Sequence, residues 1–155
     1  MPDLKDQLRS DLTTAMRDRD EVTVAALRLA LAAITKAEVA GAEPTELTDD
    51  QVVEILRSEG KKRAEAAELY DQGARRELAE RERTQAAVLE RYLPAEMDDA
   101  QLEAIVAEEV RAALDAGAEG GRAMGAVMKA VRARIGAQAG GARVAAAVKA
   151  ALGQG

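Results

Sequence analysis

Two glycine and arginine segments near the C-terminus carry the residue types best suited to chemistry. Gly120-Gly121-Arg122 stands ahead of one helical pattern, and Gly140-Gly141-Ala142-Arg143 ahead of the next. Exposed amides at a helix start, glycines that let a phosphate approach the backbone, and an arginine that binds oxyanions through two parallel bonds are the parts of an anion site. Gly125 lies about one turn further along the first pattern. The same spacing also describes two ordinary inter-helix turns with surface arginines, because glycine-rich connections between helices are common. The charge around them is one-sided. Residues 117–155 hold six basic side chains, Arg122, Lys129, Arg132, Arg134, Arg143 and Lys149, against the single acid Glu119, in a chain of net charge −6. On a helix running from Arg122, Lys129 and Arg132 fall near one another and Arg134 to the side, so the cations form a broad band. That band can meet RNA, or the stretch 95–116 with its seven acids and one arginine. No aromatic residue in the tail could stack on a base, which leaves phosphate or shape contact to carry any RNA binding.

Other chemistries are narrowed by composition. With no Cys and no His, the chain has no thiol nucleophile, no Ser-His dyad and no imidazole metal ligand, so only carboxylates, Lys and Tyr are left for proton transfer and only hard cations as metals. The carboxylate pairs Asp98 with Asp99 and Glu108 with Glu109 sit in helix-capping or solvent-facing contexts, and no catalytic residue, metal ligand or cofactor is assigned. A P-loop is missing, and a dinucleotide fingerprint would need strands. The net charge argues against nonspecific nucleic-acid binding by the whole surface, and no DNA contact is expected. "MPDLKDQLRSDL" has no basic segment followed by an apolar run, and no stretch approaches the roughly 18 apolar residues of a membrane span. A cytoplasmic protein without membrane contact is expected.

The elements that must position these residues read as helices throughout. Apolar residues make up 48% of the chain and aromatics 1%, which suits close helix packing and not strands, and nothing alternates with period two. Leu4, Leu8, Leu12 and Met16 mark a first helix, with "RDRDE" a turn or a polar continuation. Val24, Leu27, Leu31 and Ile34 mark a second, ended by "AGAEPTEL". Thr48 with Gln51 predicts a capping box ahead of Val52, Val53 and Leu56 in a third helix running to about Asp71, where "DQGAR" breaks it. A fourth helix carries Leu78, Val88, Leu89 and Tyr92. The run 57–91 holds charges of both signs, with pairs such as Glu77 and Arg81 at i,i+4, and reads as a solvated, salt-bridged helix pair or as a partner surface. Pro94 stops the fourth helix, and Asp98 with Gln101 caps the next. A boundary is placed there, with a bundle of about four helices over 1–94 and a three-helix domain over 95–155. Leu102, Ile105, Val106, Val110 and Leu114 mark the fifth helix, Met124, Val127, Met128, Val131 and Ile135 the sixth, and Val144, Val148 and Leu152 the seventh.

Taken in order, "LKDQLRSDLTTAMRDRDEVTVAALRLALAAITKAEV", "LTDDQVVEILRSEGKKRAEAAELYDQGARRELAERE", "LERYLPAEMDDAQL" and "MGAVMKAV" resemble the GatB/YqeY family, in particular its small stand-alone YqeY-like members, over nearly the full length. The resemblance implies an all-α protein whose C-terminal part is related to the tail of the B subunit of the tRNA-dependent amidotransferase, which helps hold tRNA during glutamine-dependent amidation. Nothing here corresponds to that enzyme's catalytic domain. Relatives commonly place a Gly, a basic residue, Ala, Asp and Gly before the last helix, whereas this chain has Ala137, Gln138, Ala139, Gly140 and Gly141. That shifts the expected RNA contacts to Arg122, Lys129, Arg132, Arg134 and Lys149. The reading is thus a non-catalytic accessory protein that contacts tRNA, a tRNA-handling enzyme or an amidotransferase subunit. Its alternatives are a protein-interaction module that never touches RNA, and a carbon-nitrogen ligase activity present only with a partner subunit.

Overall fold

The apolar spacing of three and four residues folds, in a computed structural model describing residues 3–153, into seven α-helices with no strand among the described residues. They are α1 (Leu4–Arg17), α2 (Glu21–Glu38), α3 (Asp49–Gln72), α4 (Arg76–Glu90), α5 (Asp99–Asp115), α6 (Gly120–Ile135) and α7 (Gly141–Ala151). Local side-chain chemistry sets several starts. Gln51 donates its amide to Thr48 Oγ1 at 3.3 Å while its Oε1 accepts from the Thr48 amide at 2.9 Å. Asp98 and Gln101 make the same reciprocal pair at 2.7 and 3.2 Å. Asp20 caps α2 through the Thr23 amide and hydroxyl, and those two bonds hold its carboxyl below the ordinary value.

Three helices end in the same closure, in which two successive amides turn back to the last carbonyls around a left-handed residue. After α5 that residue is Gly117, with φ +86°. After α3 it is Ala74, at φ +57°, while Gly73 just before it keeps φ −86°. After α1 it is Arg19, also at φ +57°, with the amides of Arg19 and Asp20 bonded to the carbonyls of Met16 and Ala15.

The chain divides between Leu93 and Pro94 into two compact units. In the first, α1 to α4 bury Leu8, Leu27, Ile34, Leu56 and Leu89 in one cluster. Lys5 on α1 reaches Glu38 at the end of α2 over 2.5 Å, and this hydrogen bond above all holds the Glu38 carboxyl below its ordinary value. The most extensive pairing is of α3 with α4. Glu59, 8% exposed, accepts from Lys62 and Arg63, and Arg63 also faces Glu82 at 3.7 Å. Asp71 and Arg83 join the two helices nearer their turn. The expected Glu77–Arg81 pair does not form among the described residues; Arg81 instead lines a cleft with Arg19 and Arg28. In the second unit α5, α6 and α7 each pack on the other two around Leu102, Val106, Val127, Val131, Val144 and Val148, with Met124 and Met128 against that core. Met16, Leu78 and Leu114 continue the apolar stripes but lie exposed, each within the last or first turn of its helix where the opposing surface has run out.

Candidate anion-binding face of the C-terminal unit

Apart from Gly140, which stays outside as the N-cap of α7, the glycine segments sit inside the helices they were expected to precede. Helix α6 starts at Gly120, capped by Glu119 without a side-chain bond, and α7 starts at Gly141 behind Gly140. The carbonyls of Glu119 and Gly140 already accept helical bonds from Ala123 and Val144, which draws Gly120, Gly121, Gly141, Ala142 and Arg143 into the first turns. Gly120 has φ +55°, a conformation costly for any residue with a Cβ.

Three of the six tail cations are occupied with the unit's own structure. Arg132 donates from Nη1 to the carbonyls of Gly136 and Ala139, at 3.2 and 3.3 Å, and so closes the turn from α6 to α7. A Cβ on Gly141 would stand 2.8 Å from Arg132 Nη2, so this glycine makes room for the guanidinium. Arg134 bridges Glu108 and Glu109 on α5 at 2.7 and 3.1 Å, and these bonds hold its guanidinium still more firmly protonated. Arg143 grips the entry to α5, donating to the Met97 carbonyl at 2.9 Å and to Asp99 at 2.7 Å, with Glu96 at 3.8 Å. The Met97 amide in turn bonds the Gln138 carbonyl at 2.9 Å. The acidic fifth helix thus consumes part of the band's charge.

The other three, Arg122, Lys129 and Lys149, are exposed and make no ion pair among the described residues. Arg122 and Lys129 lie seven residues apart on the outer face of α6, about 10 Å along its axis. Between them are Gly125 and Ala126, both exposed, and nothing lies within 4 Å of where a Cβ on Gly121 or Gly125 would stand. Two cations flanking a low, side-chain-poor surface can take two phosphates of one backbone, with no bulk to hold it off. Lys149 is separate, in the last turn of α7.

A second gathering of cations has no counterpart in the sequence reading. Arg19, Arg28 and Arg81 line one cleft of the first unit. Arg81 is remote in the chain from Arg19 and Arg28, and only the packing of α4 against α2 brings it to the same cleft.

The architecture defines an all-α protein of two helical units, with no cluster of carboxylates suited to a metal among the described residues and no described helix long and apolar enough to cross a membrane. The chain belongs to the YqeY-like protein family, whose model matches residues 5–152 and so spans both units. It is also similar to an uncharacterized protein of Schizosaccharomyces pombe, with 31% identity over 94 residues that cover 61% of this chain and 75% of the yeast protein.

Proposed function

We propose that the chain is a non-catalytic, cytoplasmic accessory protein that contacts tRNA, or an enzyme handling tRNA, through its C-terminal unit, a relative of the amidotransferase tail. The observation that carries this reading is the outer face of α6, where Arg122 and Lys129, without an ion pair among the described residues, stand on either side of Gly125 and Ala126. Lys149 adds a further cation, whereas Arg132, Arg134 and Arg143 serve chiefly to hold the unit together. The glycines act in two ways: Gly121 and Gly125 keep the face low, and Gly141 admits Arg132.

The test is binding of bulk tRNA across a salt series by the full chain and by an R122E/K129E variant. The variant should bind at least about tenfold more weakly, and the slope of log affinity against log salt should shrink by about two contacts' worth, roughly 0.9 per contact for a duplex. Its melting temperature should not move, because neither side chain has an internal partner among the described residues. Unchanged affinity and slope would remove this face from the reading. R132E or R134E is a poor probe, since either breaks contacts within the unit.

A protein partner is the second reading, and one observation favours it. An open groove of about 590 Å³ between α2 and α3 has Leu29, Ala32, Ala33 and Ile55 on its walls, with Lys36, Lys62 and Arg63 as its lining cations and Glu59, which accepts from Lys62 and Arg63, as its acid. Under that reading tRNA binds neither the wild-type chain nor the variant at low salt, and an acidic amphipathic helix competes for the groove.

A further inference from the structure

Three arginines from three parts of the first unit line one cleft. Arg19 comes from the turn between α1 and α2, Arg28 from α2 and Arg81 from α4; the cleft they line, about 460 Å³, has Met16, Val24 and Ala25 as its apolar wall and Glu21 as its acid. None of the three arginines makes an ion pair among the described residues, and Arg28 donates only to the Met16 sulfur, at 3.5 Å. The other acids of the turn are turned away. Asp18 and Asp20 line a neighbouring depression with Asp11 and Arg91, and Asp20 is committed to Thr23. Three like charges therefore line one cleft with one carboxylate among its lining residues. In an acidic chain with many carboxylates available, such a gathering is the electrostatic complement of an anion.

The backbone adds a second observation. Arg19 occupies the left-handed position of the α1 closure, the place that Gly117 takes after α5. A side chain there is strained relative to glycine, so the cation stands at a position where glycine would be the less costly residue.

We propose that this cleft binds a phosphate monoester, with the terminal phosphate among Arg19, Arg28 and Arg81 and the organic body against Met16, Val24 and Ala25. A monoester carries nearly two charges and three free oxygens, which suits three forked donors, whereas a diester offers one charge and two free oxygens. The cleft lies within the size range of small-molecule sites. The same chemistry is offered by a free nucleotide and by the 5′-phosphorylated end of an RNA.

The experiment titrates the full chain with adenosine 5′-monophosphate and, as control, adenosine, following backbone amide signals by NMR. Two further arms use a trinucleotide with and without its 5′-phosphate. The monophosphate should shift Met16, Val24 and Ala25 while adenosine does not, and R28A and R81A should each weaken binding about tenfold. R19G should also weaken it while raising the melting temperature, a combination that a merely structural arginine would not produce. Binding of the mononucleotide assigns a free metabolite, and binding of the 5′-phosphorylated trinucleotide alone assigns an RNA end. Equal binding of phosphorylated and unphosphorylated probes, no binding of either, or R28A and R81A that bind like wild type would overturn the proposal. The R122E/K129E chain should bind the monophosphate unchanged, which separates this site from the face on α6.

Discussion

Arg132 and Lys129 are neighbours on α6 with the same charge and opposite duties. Arg132 closes a turn by donating to two carbonyls, whereas Lys129 projects into solvent with no partner among the described residues. R132A should therefore destabilise the second unit by about 1–2 kcal/mol in urea unfolding, because two carbonyls lose a charged donor, while K129A should change stability by less than about 0.5 kcal/mol. Equal effects would mean that Arg132 contributes no more than a surface cation. The sequence displays six tail cations, and the family resemblance sets only Arg143 apart from the other five. Their ranking depends on the carbonyls of Gly136 and Ala139, in the turn that follows α6, and on Glu108, Glu109 and the carbonyl of Met97, which come within reach only once α6 and α7 pack on α5 and its entry. The Arg19, Arg28 and Arg81 cleft was illegible for a similar reason: Arg81 is remote in sequence from the other two, and the three share no motif.

Helix boundaries were far more legible, because the signals that set them are local. The capping boxes of Thr48 with Gln51 and of Asp98 with Gln101 need only three-residue spacing, and both form as that spacing predicts. The end of α3 shows where local reading stops. "DQGAR" does break the helix, yet its glycine is not the left-handed residue; Ala74 is, one position later. Ala74 has no hydrophobic or polar task that offsets its strained φ of +57°. Replacing it with glycine relieves the clash between its Cβ and the neighbouring carbonyl, so A74G should stabilise the first unit by about 1 kcal/mol, reduced somewhat by the extra freedom glycine gives the unfolded chain. Thermal or urea unfolding checks the sign, and a loss of stability would show that the Ala74 methyl packs in a way its exposure does not suggest.

At the scale of the molecule, each unit buries a cluster of its own, Leu27, Leu56 and Leu89 in the first and Val106, Val127, Val131 and Val148 in the second. The chain also supplies a reporter that distinguishes them. It has two tyrosines and no tryptophan, and Tyr70 and Tyr92 both belong to the first unit. Tyr92 is well anchored there: its hydroxyl donates to Asp11 at 2.5 Å, and burial first, then this bond, keep its ionisation above the ordinary value. Tyrosine fluorescence therefore follows the first unit alone, while far-ultraviolet circular dichroism follows the helices of both. V131A empties part of the second core, at a side chain with no exposure, and should cost about 2 kcal/mol there. If the two units are separate cooperative structures, as their separate cores lead us to expect, the dichroism transition of V131A broadens toward lower denaturant while the tyrosine transition stays in place. An equal shift of both probes would show that the units unfold as one, and a function assigned to either could then no longer be tested by a mutation confined to its core.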